Sequence, residues 1–173
     1  NGEKVGFFGL TTAETRDISS PGSIAFKNYI EEAKKTVNAF EKMGVNKIVA
    51  ITHIGYDDNP TIDNDLNLAS MVEGIDVIVG GHSHTQLAQP IIVDENHTPT
   101  IIVQASQYNE YLGTLEVEFD KRGVVVRHEG QLIKIADKVE DKGAAKLLQP
   151  YKAKVEQISA QETGARAVKA FDN

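Results

Sequence analysis

Apolar and polar positions alternate in two different rhythms along this chain. Residues 4–10 (KVGFFGL) form a continuous apolar run that gives way to Thr11 and Thr12, which predicts a central strand buried on both faces. Turn chemistry follows over 16–23 (RDISSPGS). Ser23 is placed to cap a helix carrying Phe26, Ile30, Ala33, Val37 and Phe40 at three- and four-residue steps, closed by Gly44. Residues 47–52 (KIVAIT) are a second β-branched run and deliver His53 to its C-terminal end. A polar stretch, GYDDNPTIDND, leads into a short helix with Leu66, Ala69 and Val72 on one face and Gly74 as terminator. Residues 76–79 (DVIV) make a third strand that closes on Gly80, Gly81 and His82. Three such strands separated by two helices predict a right-handed βαβαβ unit with a parallel sheet.

The second half changes rhythm. Residues 90–93, 100–105, 113–120 and 124–133 follow one another without long helices between them. Leu115, Val117 and Phe119 alternate with Glu116 and Glu118, the pattern of a strand with one wet face, and residues 120–123 (DKRG) fit a hairpin turn. An antiparallel meander is predicted there. Residues 141–159 return to helical spacing through Leu147, Leu148, Tyr151, Val155 and Ile158, with Pro150 expected to kink or restart the helix. The last residues, 162–173, read as frayed or truncated.

Composition narrows the function classes. With 40% hydrophobic and 25% charged residues among 173, the chain is built to pack rather than to stay disordered. A domain of this length buries roughly 70% of its unfolded surface and needs no covalent staple. The absence of Cys removes disulfides, thiolate metal sites and a Cys nucleophile. A net charge of −7 without a Lys/Arg cluster argues against nucleic acid polymer or anionic membrane as the partner. No apolar run approaches the roughly 20 residues of a membrane span. The chain opens on residues 1–4 (NGEK) without a start Met or a signal peptide, as expected of a processed or excised piece.

The candidate chemistry lies at strand ends, where open α/β sheets place their ligands. His53 follows the second strand in T-H-I-G; His82 and His84 follow the third in G-G-H-S-H-T. If those strands are neighbours, the three imidazoles converge on one rim. An H-x-H pair in extended backbone points both rings to one side, and imidazole suits Zn, Mn or Fe. His97 and His128 are assigned ordinary structural roles. The run Asp57, Asp58, Asn59 is read as a solvated loop with a minor claim to oxygen ligation, and Gln104 as a residue within reach of the rim. Three histidines without a bridging carboxylate are an incomplete two-metal site.

T-H-I-G (52–55), GIDVIVGGHSHT (74–85), VQASQYNEYLGTLEVEFD (103–120) and a helix containing residues 149–152 (QPYK) together resemble the calcineurin-like metallophosphoesterases. Within these, the chain is most similar to the bacterial 5'-nucleotidase / 2',3'-cyclic-nucleotide 2'-phosphodiesterase group. The resemblance implies an α/β fold that is half of a four-layer α/β/β/α sandwich, with parallel βαβαβ, antiparallel meander and C-terminal linker helix. It implies residues 1–136 as the C-terminal part of the catalytic domain. Residues 137–173 would be the linker helix and the start of a truncated nucleotide-binding domain. The family's D-x-H, G-D and G-N-H-E blocks would precede Asn1. Carried over by position, His53 and His82 ligate one metal and His84 the other, within a pair of divalent ions such as Mn or Zn. The implied substrate is a nucleotide, the implied location secreted, cell wall or periplasmic, and the isolated chain is expected to be inactive. Half a sandwich is also expected to self-associate through its open sheet face. The alternative is a non-catalytic cell-surface binding or scaffold module with at most one structural metal.

Overall fold

A computed structural model describes residues 2–94 and 98–164, and it falls into two compact units, Asn1–Ala136 and Asp137–Asn173. His97 and residues 165–173, the greater part of the segment expected to fray, lie outside the described residues.

In the first unit, strands β1 (Gly6–Thr11), β2 (Ile48–His53) and β3 (Val77–Val79) run parallel and adjacent, as the alternation of strands and helices requires. Helix α1 (Thr15–Ile18) is a single turn after β1, α2 (Tyr29–Lys42) connects β1 to β2, and α3 (Asp65–Met71) connects β2 to β3. Strands β4 (Ile91–Val93) and β5 (Thr100–Val103) complete a five-stranded sheet of order β1-β2-β3-β5-β4. Strands β6 (Tyr111–Phe119) and β7 (Val125–Lys134) form a separate antiparallel pair around the expected turn, which is closed by a hydrogen bond from the Gly123 amide to the Asp120 carbonyl (3.0 Å).

Three expectations are corrected. The first strand is an edge strand with Phe7 60% exposed, not a central strand buried on both faces. A short apolar run does not distinguish these cases. The helix begins at Tyr29, leaving Phe26 outside, because Asn28 rather than Ser23 is the cap. Its side chain accepts the Glu31 amide at 3.0 Å, the N-x-x-E spacing of a capping box. The meander does not run through all four later strands, since β5 lies parallel to β3 and only β4–β5 and β6–β7 are antiparallel. Residues 100–102 are buried without alternation, as an inserted strand should be.

One face of the five-stranded sheet is the core. Ile48, Ala50, Ile78 and Ile102 pack there with Ile30, Ala33 and Val37 of α2 and with Leu68, Ala69 and Val72 nearby. The opposite face carries Phe7, Ile51, Val79 and Ile92, each at least 42% exposed, beside Val77 and Ile101, which are buried. In the second unit, α4 (Lys142–Ser159) is capped by Asp141, whose carboxylate accepts the Ala144 amide at 2.7 Å, and it continues through Pro150.

Candidate active site at the carboxyl rim of the parallel strands

Register dictates what reaches the rim. Thr11 of β1 pairs with His53 of β2, and Ile51 pairs with Val79 of β3, so the ends of all three strands lie side by side. His53 therefore emerges beside the Gly80–His84 loop. Loop joins loop through a hydrogen bond from the Gly55 amide to the Gly81 carbonyl (3.0 Å). Gly81 brings the loop backbone close to that strand end, since a Cβ there would sit tightly, 3.0 Å from His53 Nδ1 and 3.4 Å from the Thr52 carbonyl.

His53 and His82 are brought together, with ring centroids 5.2 Å apart and edge to face. His84 is not part of that pair; its ring lies 5.7 Å from the exposed Tyr108. His82 and His84 have φ of +81° and +56°, so the H-x-H segment is left-handed at both histidines rather than the extended backbone expected, and the alternation argument for their rings does not apply to it. Left-handed backbone outside Gly is strained and clusters at functional sites.

A hydrogen-bonded underside fixes this loop. Gln104, buried at the end of β5, accepts the Thr85 amide (2.6 Å) and the Ser83 hydroxyl (3.2 Å) and donates to the Gly81 carbonyl (3.4 Å). Ser83 in turn accepts the Tyr56 amide at 3.0 Å. Gln104 thus braces the loop from below rather than facing a ligand. Of the acidic run, Asp57 and Asp58 are exposed, with Asp58 against Gly55, while Asn59 donates to Glu14. His128 sits on β7, away from the rim strands, with a buried Nδ1 that has no partner.

Two carboxylates escaped the sequence reading. Glu14, in the loop after β1, receives His82 Nε2 at 2.9 Å, and its bonds to His82 and Asn59 hold it below the usual carboxylate range. Its signal was available, because it too follows a strand end. Asp65, fully buried at the start of α3, accepts the Thr52 hydroxyl at 2.6 Å, while its second oxygen is buried without a partner against Gly80. Burial pushes the Asp65 carboxyl up to about 7, with the Asp58 and Asp63 charges adding to the effect. Nothing in the sequence marks it apart from an ordinary helix-opening acid.

His53 is pushed below its ordinary imidazole value by desolvation of its ring, then by the charges of His82 and His84. The neutral form that can donate a nitrogen lone pair is thereby favoured. Two adjacent imidazoles are suitable nitrogen donors for a divalent ion, yet among the described residues no group of three or more His, Asp or Glu is placed to hold one.

No family profile matches the chain. It is 43% identical over 169 residues to the trifunctional nucleotide phosphoesterase protein YfkN of Bacillus subtilis, covering 95% of this chain and 11% of that protein. It is 32% identical over 182 residues to the snake venom 5'-nucleotidase of Naja atra, covering 96% and 33%. Among solved structures, the 5'-nucleotidase precursor of Thermus thermophilus superposes with a TM-score of 0.80 at 36% identity, covering 93% of this chain and 34% of that one. The chain spans about a third or less of the length of these proteins.

Proposed function

Because the chain belongs to the family of 5'-nucleotidases and nucleotide phosphoesterases, we propose that it works as part of an enzyme hydrolysing phosphate esters of nucleotides. The substrates are 5'-nucleotides, 2',3'-cyclic nucleotides or both. His53, His82 and His84 contribute nitrogen ligands to a site for two divalent ions, Mn, Zn or similar, whose remaining ligands lie outside the described residues. Such ions, when bound, supply the positive charge that offsets charge growing on phosphoryl oxygens. The chain's own work is positional: the Gly81 backbone seats His53, Gln104 holds the His82–His84 loop, and Asp65 ties the rim of β2 to α3. The enzyme is secreted or held at the cell wall or in the periplasm. By itself the 173-residue chain releases no phosphate, and its bare sheet face promotes self-association.

The observation that carries this reading is the meeting of His53 and His82 from consecutive parallel strands at 5.2 Å. The alternative, a non-catalytic surface module with at most one structural ion, draws on the lack of a three-ligand group among the described residues. A chimaera separates the two. The chain replaces the matching third of the Thermus thermophilus protein, and phosphate release from AMP and ring opening of 2',3'-cyclic AMP to the monophosphate are measured with Mn²⁺. Activity is expected, with His53→Ala and His82→Ala each lowering it by more than about 100-fold. A folded chimaera that keeps full activity with both substitutions overturns the proposal.

A further inference from the structure

We propose that Glu14 is the positioning residue of His82, locking the neutral imidazole as the tautomer protonated on Nε2 and leaving Nδ1 as its donor nitrogen. The contact is 2.9 Å between His82 Nε2 and Glu14 Oε2, with both side chains less than a quarter exposed. An ionised carboxylate only accepts hydrogen bonds, so the proton of this contact belongs to the imidazole nitrogen. In a neutral ring the other nitrogen then carries the free lone pair.

Glu14 is itself held from three directions. Its second oxygen accepts from the Asn59 amide, and Asn59 is oriented by a bond from the Thr61 hydroxyl to its carbonyl (3.0 Å). The Glu14 amide donates to Thr12 Oγ (3.1 Å). Asp63 anchors the preceding residues, accepting from the Thr12 hydroxyl and the Ala13 amide at 2.8 Å each. The carboxylate thus joins the loops after β1, β2 and β3 at one point and meets the imidazole from a fixed position.

This rests on the phosphoesterase reading for its catalytic meaning but not for its geometry, and the test has an arm for each. The ¹⁵N-histidine-labelled chain is examined by long-range ¹H–¹⁵N correlation at pH 8, the His82 ring being assigned by its loss in His82→Asn. A single Nε2-protonated pattern is expected in the wild type and in Glu14→Gln, whose amide oxygen still accepts. An averaged pattern is expected in Glu14→Ala and in Glu14→Met, which keeps the side-chain length should Ala fail to fold. An Nδ1-protonated wild type, or a pattern unmoved in the folded Ala and Met variants, overturns the inference. In the chimaera, Glu14→Met is expected to lose about 10- to 100-fold in phosphate release, with Glu14→Gln recovering most of it. Tautomer averaging without that loss overturns the positioning role. An inactive wild-type chimaera with the tautomer intact removes the phosphoesterase reading and leaves the Glu14–His82 lock standing.

Discussion

The two faces of the five-stranded sheet carry similar side chains in opposite circumstances. Ile78 and Ile51 lie on neighbouring strands one register step apart, yet Ile78 is fully buried beneath the helices and Ile51 is 54% exposed. Hydrophobic sequence alone does not make a core; a second layer does. The covered face is locked by packing, while the other face, apart from the buried Val77 and Ile101, holds apolar area in water that stabilises nothing until something covers it.

The largest contrast is expected from truncating the covered side. Ile78→Ala is expected to destabilise the chain by about 2–5 kcal/mol in urea denaturation, because it leaves a cavity in a sealed layer; a loss below 1 kcal/mol would dissolve the distinction. A pair of glycines on β1 sharpens it. A Cβ at Gly6 would meet the Phe40 ring at 3.0 Å, whereas at Gly9 the nearest atom is the Ile51 carbonyl oxygen at 3.7 Å. Gly6→Ala is expected to cost about 1–3 kcal/mol by overpacking. Gly9→Ala is expected to be neutral or to stabilise by up to about 1 kcal/mol, and the two midpoints compared in one denaturation series decide it.

Asp65 marks the polar end of the covered face. Its carboxyl stays protonated up to about 7 in the folded chain but only to its ordinary lower value when unfolded. Between those values the folded state holds the extra proton, so stability falls as pH rises from about 4 to about 7, at most by about 1.4 kcal/mol per pH unit. Asp65→Asn should flatten that slope in denaturation midpoints taken across the window. The smallest effect is expected on the bare side. Ile51→Ser should change stability by no more than about 0.5 kcal/mol, yet shift sedimentation toward monomer if this face drives self-association.

What the sequence made legible was whatever a strand or a helix spells out locally. KIVAIT and DVIV are β-branched runs with no other good use, so β2, β3 and the places of His53 and His82 could be read directly. The Asn28 cap is equally present in the spelling, with Glu31 three residues on, and competes there with Ser23. The rest depends on tertiary facts. Whether β1 has one neighbour or two is decided by strand order, not by KVGFFGL. The loop with positive φ at His82 and His84 is held by bonds to Gln104, which follows β5, a strand distant in the sequence. Glu14 and Asp65 acquired their roles only when chain segments tens of residues apart met.

The bond from the Gly55 amide to the Gly81 carbonyl also bears on how the rim moves. Since Asp65 donates its amide to Gly55 and Tyr56 takes its partner from Ser83, neither loop can peel away without breaking bonds in the other. Amide protons on both sides should therefore exchange with deuterium at a common rate, as one cooperative opening unit. His53 and His82 would be withdrawn and restored in a single event.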